Sequence, residues 1–176
     1  MRSKSKQVAE GDILPDVLAV GLDVVFCGSA AGTRSASAGA YYAGPGNRFW
    51  PTLFSIGLMP EQIRPANFRK VVRYGIGLTD LAKKASGSDA SLSTSDYDGP
   101  SLRIKIEANA PRLLAFNGKR AASLFLQRSV QYGLQSERID STALYVLPST
   151  SGAARRFWSD KPWFALAEWL EGENQS

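Results

Sequence analysis

Three short apolar runs punctuate the chain, and each ends in a small polar loop. Residues 24–27 read Val24-Val25-Phe26-Cys27, 113–116 read Leu113-Leu114-Ala115-Phe116, and 143–147 read Ala143-Leu144-Tyr145-Val146-Leu147. Continuous apolar runs of this length, bounded by turn residues, suit strands buried on both faces of a parallel sheet. The loops that follow are Gly28-Ser29-Ala30-Ala31-Gly32, Asn117-Gly118-Lys119 and Pro148-Ser149-Thr150-Ser151-Gly152. Between the runs lie stretches of helical character at 47–56 (Phe49, Trp50, Leu53, Phe54), 102–110, 118–126 and 163–170. Pro51 is compatible with its helix only in the first turn. Strands alternating with helices predict an α/β fold, a single three-layer domain with a mainly parallel central sheet flanked by helices. Such sheets bind ligands beyond the carboxyl ends of their strands, so the three polar loops should share one rim.

The 176 residues fit one domain. We expect a flexible N-terminal segment over 1–12, the domain over 13–171 and a tail over 172–176. Residues 14–18 read as an entry segment packing on the core. The Ser-, Asp- and Gly-rich stretch 86–99 reads as one long surface loop. No run approaches the ~20 apolar residues of a membrane span, and no long apolar region follows the basic start, so neither a membrane span nor a secretory signal is expected. Cys27, alone and inside an apolar run, reads as a buried strand thiol. These features suit a cytoplasmic protein, expected to be monomeric.

Histidine is absent, which changes the picture most. It removes serine–histidine and cysteine–histidine nucleophiles, and also the zinc deaminases. One cysteine makes neither a disulfide nor a cysteine-rich zinc site. No metal and no cofactor is expected, and acid–base work falls to carboxylates, lysine, tyrosine or backbone groups. The net charge of +5 favours a polyanionic partner.

The loop at 28–32 lets backbone approach a ligand closely, and its amides could hold an anion or a carbonyl oxygen. A phosphate loop or a plain tight turn fits equally well, although the Walker lysine and the GxGxxG spacing are missing. Next comes Gly39-Ala40-Tyr41-Tyr42-Ala43-Gly44-Pro45-Gly46-Asn47-Arg48-Phe49-Trp50, then Tyr74-Gly75-Ile76-Gly77-Leu78-Thr79-Asp80-Leu81. Phe116-Asn117-Gly118-Lys119 and Leu147-Pro148-Ser149-Thr150-Ser151-Gly152 follow. In this order, over roughly 14–170, the five motifs resemble the mismatch-specific uracil/thymine-DNA glycosylase family of the uracil-DNA glycosylase superfamily.

The resemblance implies an enzyme that flips a uracil-type base out of DNA and hydrolyses its glycosidic bond in base excision repair. The partner is then DNA containing uracil or mismatched bases. Base contacts would come from Gly28, Ser29, Ala30, Ser35, Tyr42 and Asn47, with Tyr42 stacking on the base at ~1–3 kcal/mol. DNA contacts would come from Lys119, Ser149, Ser151, Gly152, Ala153 and Arg155, with Ala153 at the position that enters the duplex. Ala30 departs from the pattern, because it stands where the family carries an asparagine that positions water. Asp80 is the candidate replacement: a carboxylate stabilises oxocarbenium character and takes a proton from water. Capping a helix that opens at Leu81 is the other reading of Asp80. Asp89, Asp96 and Asp98 lie in the polar loop without a positional match. Ala30 also leaves open a lesion-binding protein without catalysis. A small-molecule nucleotide enzyme would need a phosphate loop and an acidic ribose contact, and neither is present in proper spacing.

Overall fold

The structure is a computed structural model and describes residues 11–174. The expectations for residues 1–10, and for 175–176 of the tail, lie outside the described residues. Five strands form one sheet in the order β2-β1-β3-β5-β4. They are β1 (Val24–Ala31), β2 (Ile76–Ser86), β3 (Leu113–Asn117), β4 (Gly133–Ile139) and β5 (Thr142–Leu147). Among pairings of these five strands only β4–β5 is antiparallel. The helices are α1 (Thr33–Ala38), α2 (Phe49–Ser55), α3 (Gly99–Asn109), α4 (Lys119–Leu126) and α5 (Lys161–Glu173), with a longer 3-10 segment over Pro65–Tyr74. The expected three-layer α/β architecture is present.

Each sheet face has its own core. On one face Phe26, Leu78 and Tyr145 pack against Phe49 and Trp50 of α2, Phe68 of the 3-10 segment, and Trp163 and Leu166 of α5. On the other, Val25, Cys27, Leu114 and Val146 pack against Leu102 and Ile106 of α3 and Ala121 and Ala122 of α4. Strand side chains alternate between faces, so the short apolar runs feed both cores. In α3 the four-residue spacing turns Leu102 and Ile106 inward and leaves Ile104 exposed. Cys27 is fully buried, as expected. No helix is long and apolar enough to cross a membrane among the described residues.

Two strands were not anticipated. β2 runs through Asp80 and Leu81, so no helix opens at Leu81 and the capping role for Asp80 is overturned. Its outer edge is covered by the entry segment, which runs antiparallel to it: Val17 and Leu78 exchange backbone hydrogen bonds at 2.9 Å, and Ile13 N–H donates to the Lys83 carbonyl at 2.7 Å. β4 is the second addition and forms the far edge. The polar stretch after β2 is a surface loop with two short 3-10 turns, at Asp89–Ser91 and Thr94–Asp96. Helix α5 continues two residues into the expected tail.

Candidate active site

Strand order reverses direction between β1 and β3, the place where an open α/β sheet forms a crevice at its carboxyl end. The register shows where the two strands part. β1 pairs with β3 only as far as Cys27–Phe116, yet stays paired with β2 as far as Ala31–Ser86. The last four residues of β1 therefore run on beyond its pairing with β3.

The three polar loops meet around this opening, as their sequence positions predicted. Asn117 ends β3 and is tied to Thr150 in both directions: its Nδ2 donates to Thr150 Oγ1 at 2.9 Å, and Thr150 N–H donates to its Oδ1 at 3.0 Å. Arg48 N–H donates to the Thr150 carbonyl at 2.9 Å, fastening the start of α2 to the same loop. Gly152 rests on the Pro45-Gly46 turn. The Ser29 hydroxyl donates to Asp89 at 2.8 Å and joins the long polar loop to the rim.

Asp80 stands beside Gly28 across the β1–β2 pairing and is 5% exposed. A Cβ on Gly28 would lie 2.7 Å from Asp80 Oδ1, so only glycine lets the carboxylate pack against the β1 backbone. No described residue donates a hydrogen bond to that carboxylate. Burial raises its pKa to about 6; Lys83 and Lys105 pull the other way and Asp16 adds to the rise. The Tyr42 hydroxyl is 3.6 Å from the same Cβ point and is itself buried without a hydrogen-bond partner. Burial, then the Asp80 charge, holds the Tyr42 phenol well above its ordinary pKa. Asn117 lies close enough to oppose that rise, although Thr150 engages both polar ends of its amide. Tyr42 has φ +53°, the left-handed region that tyrosine rarely adopts. One face of its ring stacks on Phe49 at 3.9 Å, while the residue stays partly exposed.

The reversal point thus brings together a buried carboxylate with no hydrogen-bond donor among the described residues, the β1 backbone at Gly28 and an aromatic ring stacked on one side by Phe49. The sequence profile of the uracil DNA glycosylase superfamily matches residues 15–171. This chain belongs to that superfamily. Its fold is similar to the solution NMR structure of a "putative uracil DNA glycosylase" from Methanosarcina acetivorans. The TM-score is 0.62 at 24% identity, over 90% of this chain and 96% of that one.

The expected site residues fall into three groups, with Lys119 apart. Gly28, Tyr42 and Asp80 converge on one spot, and Ala30 lies two residues further along β1, opposite Ala82. Ser35 and Asn47 act within the protein: Ser35 Oγ accepts Ala43 N–H at 3.0 Å, and Asn47 Oδ1 accepts Phe49 N–H at 3.0 Å at the start of α2. Ser149, Ser151, Gly152, Ala153 and Arg155 lie on the last loop. There Ser149 Oγ accepts from Ser151 N–H and Ser151 Oγ from Ala153 N–H, with Ala153 and Arg155 exposed. Lys119 opens α4 with its ammonium over the Tyr132 ring at 4.4 Å. Among the described residues no group of three or more Cys, Asp or Glu is placed to hold a metal ion.

Sequence reasoning missed the Asn117–Thr150 tie, although both residues lie in loops it had singled out. It also missed a charged cluster behind Asp80. Asp16 on the entry segment takes Lys83 at 2.8 Å, Lys105 at 2.7 Å and the Thr79 hydroxyl at 2.7 Å. Its partners stand far along the chain, and no local signal marked them.

Proposed function

We propose that this superfamily member is a monofunctional DNA glycosylase of the mismatch-specific branch that hydrolyses the glycosidic bond of uracil extruded from DNA. The observation that carries this reading is the Asp80 carboxylate, buried, without a hydrogen-bond donor among the described residues, and packed on Gly28 next to Tyr42. Flipping a base costs a few kcal/mol, least at a mismatch or lesion. Stacking on the Tyr42 face not taken by Phe49 offsets much of that cost. In the hydrolysis, the C1′–N1 bond breaks and its electron pair leaves with the base. Backbone amides of 28–32 meet the resulting negative charge. The water oxygen bonds to C1′, its proton passes to Asp80 and then to solvent, and the base anion is protonated from solvent. An ionised, unpartnered carboxylate also stabilises the oxocarbenium-like sugar. With its pKa near 6, Asp80 is mostly ionised at neutral pH, so the rate should rise through pH 6 and then level.

The test is base release from single- and double-stranded oligonucleotides carrying one uracil, for the parent, Asp80→Asn and Ala30→Asn. Release by the parent that Asp80→Asn largely abolishes supports the assignment. A parent that binds uracil DNA but releases nothing, with Ala30→Asn active, favours a lesion-binding protein instead; the Ala30 methyl, which holds no water, motivates that second reading.

A further inference from the structure

Lys83 lies three residues beyond Asp80 on the same strand, and its charge acts on that carboxylate. An unpartnered carboxylate and a nearby ammonium in a poorly solvated site attract each other strongly. Lys83 nevertheless pairs elsewhere. Its Nζ contacts Asp16 Oδ1 at 2.8 Å and donates to the Tyr41 hydroxyl at 3.2 Å, and its side chain is only 10% exposed. Tyr41 is fixed in turn, because its hydroxyl donates to the Pro15 carbonyl at 3.0 Å. Asp16 is fixed from its other side by Lys105 and Thr79. The ammonium is thus drawn toward residues 15–16 of the entry segment.

We propose that Asp16, acting through Lys83, is a positioning residue for Asp80: the Asp16–Lys83 ion pair holds the ammonium off that carboxylate and keeps it free to act on water. The proposal rests on the glycosylase reading. The titratable groups that face Asp80 are Cys27 from β1, Tyr41 and Tyr42 from the loop after α1, Lys83 from β2, Asp16 from the entry segment and Lys105 from α3. Cys27, Tyr41 and Tyr42 are held neutral by burial first, and then by the Asp80 charge. Beyond burial, the balance of charge at Asp80 is therefore set by two lysines and one aspartate, and Asp16 is the member that pairs with both lysines. Without its charge, Lys83 turns to Asp80, lowers its basicity and occupies a lone pair that the water proton needs.

The experiment is the single-turnover rate of uracil release against pH for the parent, Asp80→Asn, Asp16→Asn, Asp16→Glu, Lys83→Met and the Asp16→Asn/Lys83→Met double variant. Thermal melts of each run alongside. Asp16→Asn should move the acid limb to lower pH by about one unit and lower the plateau on the order of tenfold. Lys83→Met should move the limb to higher pH, the double variant should return it close to the parent, and Asp16→Glu should retain it. A loss of rate with an unmoved acid limb would make Asp16 a mere staple of the entry segment and overturn the proposal. Should Asp16→Asn fail to fold, Lys83→Met decides, since Asp16 keeps Lys105 and Thr79: an unshifted limb there overturns the proposal too. A parent that releases no base refutes the glycosylase reading itself. An active parent with an inactive Asp80→Asn and immobile limbs elsewhere refutes only the role of Asp16.

Discussion

Asp16 and Asp80 are two poorly solvated aspartates under the influence of the same lysine, and they are opposites. Asp16, at the covered edge of the sheet, accepts from Lys83, Lys105 and Thr79. Burial pushes its carboxyl up, but the Lys83 charge and those hydrogen bonds more than reverse this and hold it below the ordinary value. Asp80, beside Gly28, has no donor among the described residues, and burial takes its pKa to about 6. Burial alone does not decide what a carboxylate does; its partners do. The two also pull stability in opposite directions with pH. Asp16 contributes stability above its unfolded pKa, and that contribution is lost as pH falls through its lowered folded value. Asp80 binds its proton more tightly folded than unfolded, so its contribution is full below its unfolded pKa and is lost as pH rises through about 6. Above that, the strained charge costs about 3 kcal/mol.

The sharpest way to break this contrast is Asp80→Asn. Base release should fall by about 10²–10⁴-fold, the range for a lost general base or charge stabiliser, measured in single turnover at pH 8. The same substitution should make the protein more stable at pH 8, by about 2–3 kcal/mol in denaturant titrations, with the gain shrinking toward pH 4. An Asp80→Asn protein less stable than the parent at both pH values would mean that the carboxylate has a partner after all. Asp16→Asn should do the reverse and cost about 1–3 kcal/mol at pH 8; that is less than a fully buried pair, since water still screens part of the site. The smallest effect belongs to Tyr42→Phe. It removes a buried hydroxyl without a partner and keeps the ring, so activity should persist while stability holds or rises by about 1 kcal/mol. A collapse of activity in Tyr42→Phe would transfer part of the chemistry from ring to hydroxyl.

The three strands read from apolar runs are the three central ones, buried on both faces. The two that escaped notice are the edges, for different reasons. In β2, Gly77, Thr79, Asp80 and the two lysines interrupt the apolar pattern, and the strand is buried by the entry segment rather than by its own composition. In β4, Leu134 is exposed and the polar positions alternate with it, so no inward stripe announces the strand. The site followed the same division. Gly28, Tyr42 and Asp80 could be singled out because each sits in one of the motifs that carry the family resemblance, although Tyr42 lies in the loop after α1 and Asp80 in the middle of β2. Lys83 was visible as a residue, but its choice of Asp16 over Asp80 depends on a contact between distant segments.

The covering of β2 has a consequence for solubility. A sheet with a bare edge offers its backbone groups to any other extended chain, and natural proteins blunt such edges. Here residues 13–17 occupy one edge, while the other, β4, is broken in register between Leu134 and Arg138 and carries Gln135, Glu137 and Arg138. The strip that guards the first edge also carries Asp16. A cut or truncation that released it would expose a sticky strand and free Lys83 in one event, so the same lesion would promote self-association and unbalance the charges at the crevice.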